Sequence, residues 1–521
     1  MIPLSPMPDA PDCAVQPESG TGIRSLTLET LQGLKWTYLA TACSAVLQIG
    51  VAATMSRLLK PSAFGVIAAA GLFLRFGSYF SEMGLGSAVV QKPVVTDEDI
   101  RASFTASTTI GCLVALVVWS CAPLSSHLLA NPEVVPVTRL LSVSLALSGL
   151  ACTSLGLLRR RMNFGVLSLI EVSSYVLSYG AVGIPLAIAG AGLWALTAVL
   201  LLQPLLTLCF AYYSVRHSLR PCLRWECHKA LLAYGSKLSI TSFAEYLFFF
   251  AETAVVGKFW GDVVLGIYSR ASLIANLFNQ NACTAMMKVL FPAFSRAQGD
   301  RGRLASAYLS TVTIIGLITM PLALGMVPAA KDIVLIVLGA QYKDAPNLVQ
   351  VVVLAVPFSM LASVAATICN VKDKVGTRLI QQLCLCIFMW TAVCLAAPWG
   401  LRAIATAAVI SQALRFAAFQ HLANRSLGLN WRDFSKAILP GFLLAGCVCA
   451  AVAMAAWGLP TSSAIIRLLI EVTLAAVVCS IMCLWFLPSH VTHLVALALT
   501  SITAVEKIPI LVWYRSRLLA R

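Results

Sequence analysis

Charge is scarce in this chain. Of 521 residues only 11% are Asp, Glu, Lys or Arg, while 59% are hydrophobic. A soluble protein of that composition has no polar surface with which to cover itself. Histidine is scarcer still, at six residues. There is no glycine-rich Walker loop, no Gly-x-Ser-x-Gly, no His-Glu-x-x-His and no Cys-x-x-Cys pair. Those absences exclude direct ATP drive, an α/β-hydrolase nucleophile, a zincin centre and a thiolate metal knuckle. Cysteine is plentiful at 17, but the number is odd and most fall inside apolar runs, where cysteine is a small hydrophobe. Neither a disulfide, a metal nor a cofactor is expected.

What is present is apolar sequence in runs of membrane-spanning length. The runs do not alternate, so the spanning structure is helical and an outer-membrane barrel is excluded. Tails of roughly 33 residues at each end leave about 455, room for 14 or 15 spans at about 20 apolar residues each plus loops. The runs predict an all-α polytopic membrane protein. Its helices are expected at about 34–55, 64–90, 104–123, 137–158, 166–189, 192–213, 239–257, 264–291, 304–327, 346–370, 378–398, 402–421, 437–457 and 464–487.

The net charge of +16 is explained by where the cations fall. Arg159 to Arg161, Arg216, Arg220, Arg224, Arg301, Arg303, Lys372, Lys374, Arg378, Arg432 and Lys436 lie on alternate loops. The intervening loops hold few, among them Arg57, Lys60, Lys258, Lys331 and Arg467. By the positive-inside rule both termini are cytoplasmic, the number of spans is even, and fourteen is the count. Nucleic acid is not an expected partner.

The chain is organised around residues 245–270, where Glu245, Glu252, Lys258 and Arg270 interrupt otherwise apolar sequence. This stretch has an echo. Lys258 followed after six residues by Leu265-Gly266 repeats Arg57 followed by Phe64-Gly65, offset by 201 residues. Two halves of one protein begin alike. The resulting division is a proline-rich disordered tail (1–32), a first six-helix lobe (33–215) and a basic cytoplasmic linker (216–237). A second six-helix lobe (238–425), two added helices (426–488) and an amphipathic cytoplasmic tail (489–521) follow. In the linker, Trp225 and His228 are expected to lie on the anionic inner leaflet.

Several local patterns have plain readings. Asp97-Glu98-Asp99 is literally a DxD, but no surrounding loop is long enough for a nucleotide-binding domain. It reads as a solvated loop at the start of the next helix, where acids favour the dipole. His490 and His493 lack further metal ligands. Lys331 to Pro346 reads as a short kinked or re-entrant turn on the outer side.

The charges inside the spans carry more. An ionisable side chain at bilayer depth costs about 2.5 kcal/mol or more and by default marks a pathway or a binding site. The cations Arg75, Arg270, Lys288 and Arg415 are the substrate-binding candidates, since guanidinium and ammonium groups suit an anionic ligand and Arg matches phosphate oxygens bidentately. Glu82, Glu245 and Glu252 are the ion-coupling candidates, with Glu171 a further buried carboxylate. Seven-residue spacing sets Arg75 with Glu82, and Glu245 with Glu252, on common helix faces. Internal ion pairs that fix helix packing are the competing reading.

The stretches Arg57-Leu-Leu-Lys-Pro-Ser-Ala-Phe-Gly65 and Phe80-Ser-Glu-Met-Gly-Leu-Gly-Ser-Ala-Val-Val-Gln91 resemble the opening of bacterial polysaccharide transporters of the Wzx type. Glu252 with Lys258-Phe-Trp-Gly261, Leu265-Gly-Ile-Tyr-Ser-Arg-Ala271 and Phe291-Pro-Ala-Phe-Ser-Arg296 resemble the family's second-half signature, and the likeness spans about 33–430. The position of Glu252 is commonly Asp in that family, and that of Lys258 commonly Arg. The resemblance implies two six-helix lobes around a central cavity plus two added helices. It also implies a flippase that turns undecaprenyl-diphosphate-linked oligosaccharide across the bacterial inner membrane by ion-coupled alternating access. The polymerase and chain-length regulator of the same pathway would be partners. Two alternatives stand beside it: a multidrug-type cation antiporter of the same fold, and a polysaccharide polymerase. The cation-rich interior weighs against the first, and the lack of a long external loop against the second.

Overall fold

The structure, a computed structural model, describes residues 43–82, 95–129, 131–161, 163–222, 224, 243–277, 294, 299–372, 374–458 and 463–486. Its first lobe comprises α1 (Cys43–Leu58), α2 (Pro61–Glu82), α3 (Asp97–Cys121), α4 (Val134–Arg160), α5 (Phe164–Ile188) and α6 (Leu193–Val215). A continuous helical stretch over 243–277 opens the second lobe. Gly261, at φ +75°, divides it into α7 (243–260) and α8 (262–277). Then come α9 (Arg301–Val337), α10 (Pro346–Val371), α11 (Val375–Ala396), α12 (Leu401–Leu427), α13 (Trp431–Gly458) and α14 (Ala464–Phe486). Eleven of these helices are long and apolar enough to cross a membrane, and the described part of α1 is shorter. No strand occurs among the described residues.

Within the first lobe α4 packs on α2, α3 and α6; within the second α12 packs on α10 and α11. The added pair attaches to the second lobe through α9, which runs along α13. There a Cβ on Gly441 would stand 2.7 Å from the Gly316 carbonyl carbon. Without a hydrophobic drive between helices in lipid, such small-residue crossings bring backbones into van der Waals contact.

The two lobes share one core, in which Phe64, Leu141, Phe248, Leu265, Tyr268 and Tyr308 are buried together. They meet most tightly at the end expected to face outward. The Arg57 guanidinium donates to the Ile336 carbonyl at 2.6 Å, and the Gln341 amide to the Leu59 carbonyl at 3.0 Å. Asn131 donates to Asp262 at 3.3 Å.

At the opposite end, residues 216–222 cross the foot of the first lobe. Arg101 donates to the carbonyls of Arg220 and Pro221, both at 3.2 Å, and the Cys222 amide donates to Thr105 at 2.9 Å. The start of the expected linker is therefore fastened to α3. Trp225, His228 and both tails lie outside the described residues.

Several expectations are corrected. The third helix begins at Asp97, not 104, because Thr96 and Asp99 close a capping box around its first turn. The Asp-Glu-Asp run is thus a helix start and not a loop, and Asp99 is buried. The ninth helix runs on past 327 to Val337, through Pro321 and Pro328. Gln350 of α10 donates to the Val327 carbonyl beside the second proline at 3.2 Å. The expected re-entrant turn shrinks to a 3-10 turn at Ala340–Tyr342. Arg378 and Arg467, counted with the loop cations although they fall within the expected helices 378–398 and 464–487, both lie in helices and each pairs with a carboxylate in a part-buried setting.

Candidate functional site

Three groups of polar side chains occupy the interior around α7 and α8. The first is centred on Glu245, which pairs with Arg378 of α11 and lies 3.6 Å from Arg415 of α12. Both cations are almost wholly buried, at 7% and 3% exposure, whereas the Glu245 side chain keeps 31%. Arg378 also donates to Asn370 at 2.8 Å, and Arg415 to Gln382 at 3.1 Å. The rings of Phe248, Phe249 and Phe419 stand 5.1–5.5 Å from the Arg415 guanidinium, a distance at which ring quadrupoles attract a cation. One carboxylate facing two guanidinium groups leaves net positive charge here, softened by aromatic faces and amide oxygens.

The second group is centred on Glu252, two turns along α7. The Tyr268 hydroxyl of α8 donates to its Oε2 at 2.6 Å. Glu252 lines a cavity of about 50 Å³ together with Phe249, Ser272, Asn276, Ser359 and Gln412. A space of that size holds a few waters or one ion, and no oligosaccharide. Gln412 also accepts from Arg415 at 3.5 Å, so this cavity adjoins the Glu245 group.

The third group lies on the other face of α8, because residues two apart on a helix point nearly opposite ways. Tyr268 faces Glu252, and Arg270 faces the first lobe. Its guanidinium sits 4.2 Å from the centre of the Phe64 ring on α2. It is within electrostatic reach of the hydroxyls of Tyr175 and Tyr179 on α5 and of Tyr342. The Nε of Arg270 is buried and has no hydrogen-bond partner among the described residues. Tyr179 belongs to a π-helical segment, Leu177–Gly183, within α5; such segments are frequent at functional sites. Tyr342 lies beyond the end of α9, and burial pushes its hydroxyl up to about 12.

The structure therefore brings Glu245 and Arg415 together, sets Glu252 beside them, and places Arg270 at the seam between lobes. Arg75 is exposed on α2, Glu171 on α5 and Lys258 on α7. Lys288 and the side chain of Glu82 lie outside the described residues. Sequence reasoning missed Arg378, Tyr268 and Gln412. Arg378 follows Lys372 and Lys374 closely, so it read as one more topological anchor. Tyr268 and Gln412 carry no charge and gave no signal in apolar sequence.

Residues 54–347 match the family model described as "Polysaccharide biosynthesis protein". Among relatives, the lipopolysaccharide biosynthesis protein WzxC of Escherichia coli is 23% identical over 69% of this chain and 71% of its own length. The succinoglycan biosynthesis transport protein ExoT of Rhizobium meliloti is 28% identical over 59% and 62%. The teichuronic acid biosynthesis protein TuaB of Bacillus subtilis is 22% identical over 89% and 96%. In fold, the chain is similar to the lipid II flippase MurJ in an inward closed conformation, with a TM-score of 0.65 at 14% identity over 86% of this chain and 98% of that one. An inward-facing MATE multidrug resistance transporter gives 0.61 at 15% identity over 73% and 94%. Helical lobes, polar interior and sequence agree: the chain belongs to the polysaccharide biosynthesis protein family.

Proposed function

We propose that this protein turns an undecaprenyl-diphosphate-linked oligosaccharide repeat unit from the inner to the outer leaflet of the bacterial inner membrane. The repeat unit feeds O-antigen, capsule or exopolysaccharide synthesis. The observation that carries the reading is Arg270: a guanidinium at the lobe seam whose Nε is buried and unpartnered among the described residues. A buried donor left unsatisfied costs about 1–3 kcal/mol, and an entering diphosphate removes that penalty. A guanidinium fork matches phosphate oxygens bidentately. Arg415 is already matched to Glu245, so its role is to hold positive potential behind the site. Arg75, exposed on α2, and Lys288 are assigned to the substrate's path.

Family membership supports the polysaccharide pathway, and WzxC and ExoT are named for lipopolysaccharide biosynthesis and succinoglycan biosynthesis transport. The cavity beside Glu252 is lined by second-lobe residues and is too small for a sugar, so the substrate's path is assigned to the seam between the lobes, which must part to admit it. Separation and re-closure about the α2–α8 seam is the alternating-access step, with Glu252 and Glu245 the groups that exchange a cation during it and Glu82 assigned with them. Both termini face the cytoplasm, residues 33–215 and 238–425 are the moving lobes, and the pathway's polymerase and chain-length regulator are the neighbours that receive the product.

Arg270→Ala tests the site. Polysaccharide export should fall by at least tenfold at normal protein abundance, and Arg270→Lys should recover part of it. Normal export by Arg270→Ala, with the protein at wild-type level, overturns the assignment.

A further inference from the structure

A second charged cluster lies away from α7 and α8, in the seam where α14 joins the rest. Arg467 of α14 grips Asp332 of α9 with two hydrogen bonds, Nε to Oδ2 at 2.5 Å and Nη2 to Oδ1. The side chains are only 15% and 4% exposed. One helical turn on, Glu471 is 1% exposed, and both of its carboxylate oxygens are buried without a hydrogen-bond partner. Asp332 and Arg467 both act on it electrostatically. Leu468, Ala475 and Val478, at helical spacing on the Glu471 face of α14, pack in one apolar cluster with Ala329 and Ile333 of α9 and Leu444, Val448 and Val452 of α13. Among the described residues, Cys479 is the other titratable side chain packed in this seam, two turns further along α14. The rest of α14 is exposed and aliphatic, with Ile465, Ile466, Leu469, Ile470 and Val472 all turned outward. None of these residues lines the cavity beside Glu252.

The charges do not balance. Asp332 takes up Arg467, and an ionised Glu471 would be a second carboxylate against the same guanidinium. An uncompensated ion in so dry a place costs several kcal/mol. Neutralising Glu471 with a proton removes that cost and leaves a pair and a neutral acid. We propose that Asp332, Arg467 and Glu471 form a proton-binding site in the seam between α14 and the second lobe. One proton taken up on Glu471 seats α14 against α9, and its loss sets a carboxylate charge in the seam and loosens that joint.

The test is thermal unfolding of the purified full-length protein in detergent, from acidic to alkaline pH, for wild type, Glu471→Gln, Glu252→Gln and Asp332→Asn. If the native state holds one proton more than the unfolded chain, stability falls as pH rises. The wild-type midpoint should fall accordingly. Glu471→Gln, which imitates the protonated acid, should match wild type at acidic pH and lose that part of the slope. Glu252→Gln should leave it in place. Asp332→Asn frees Arg467 to pair with an ionised Glu471 and should also remove it. An infrared band of a protonated carboxylic acid present in wild type and missing from Glu471→Gln would support the site independently. Equal slopes in wild type and Glu471→Gln would overturn the proposal. So would a Glu471→Gln protein that cannot be recovered from membranes, since Arg467 would then need the ionised carboxylate. A midpoint raised by sodium at constant pH in wild type alone would assign the site to a metal cation and overturn the proton reading.

Discussion

Gly65 and Gly266 occupy equivalent places in the two lobes, 201 residues apart, and they pack reciprocally. A Cβ on Gly65 would stand 1.8 Å from the Asp262 carbonyl oxygen, and a Cβ on Gly266 would stand 1.8 Å from the Pro61 carbonyl oxygen. Residues 61 and 262 are themselves 201 apart, so each lobe offers its glycine to the first turn of the other's matching helix.

This crossing closes the seam at its Arg57–Gln341 end. Gly65→Ala or Gly266→Ala would force the backbones of α2 and α8 apart by more than an ångström, since the obstructing atoms are carbonyl oxygens and cannot rotate away. Each variant should reach normal abundance but transport several-fold less. A thiol reagent that cannot cross the membrane should label a Leu59→Cys probe, in a background without native cysteines, faster when either alanine is present. Leu59 is only 3% exposed in the closed seam, so unchanged labelling would show that the glycines do not hold it shut.

The Glu245 group makes a stability prediction. Glu245→Gln leaves Arg378 and Arg415 buried without their carboxylate, and breaking a buried pair by removing one partner costs about 3–5 kcal/mol. The partly open Glu245 side chain puts the expected loss at the low end of that range. Glu245→Gln combined with Arg378→Gln should recover a substantial part of it, as a double-mutant cycle on detergent-solubilised protein would measure. Additive losses would deny the coupling.

Glu252 is where ion coupling is expected to reside. Glu252→Gln should leave substrate binding in place and make transport in proteoliposomes indifferent to an imposed pH or sodium gradient. Glu252→Asp should retain the dependence, and Tyr268→Phe, which removes the hydrogen bond to Oε2, should shift its pH profile without abolishing transport. Unchanged gradient dependence in Glu252→Gln would remove this residue from the mechanism.

His217 makes a pH prediction at the foot of the first lobe. Its Nδ1 lies 3.2 Å from the Ser218 carbonyl and therefore carries the proton, while Nε2 accepts from Ser154 at 2.9 Å. Phe104 and Tyr212 flank the ring. Burial holds the imidazole below its ordinary value of 6.5 despite the backbone hydrogen bond. The neutral ring is the one that fits, so its contribution is complete above about pH 6.5 and is lost as pH falls through the unfolded and then the folded value. Acidification from about pH 7 to 5 should lower the wild-type thermal midpoint relative to that of His217→Gln.

Chain composition alone determined that this is a helical membrane protein, because 59% hydrophobic sequence in unalternating runs has no other way to satisfy its backbone in lipid. The 201-residue echo likewise determined the two-lobed plan, since a repeated spacing of charge and glycine is visible wherever the chain folds. Glu245, Glu252 and Arg270 stood out for the same reason: charge is conspicuous in apolar sequence. Partners were a different matter. Whether Glu245 meets Arg378, 133 residues away, or whether Arg270 faces Phe64 on the opposite lobe, depends on how helices rotate and cross, and local periodicity leaves that open. Helix ends were read only in part: Thr96-x-x-Asp99 is a capping box that the sequence itself carries, whereas the run of α9 through Pro321 and Pro328 is not marked by local pattern. The same holds for Glu471. In the sequence it is one acid in an apolar run, and only the packing of α14 on α9 and α13 leaves its oxygens buried and unpaired.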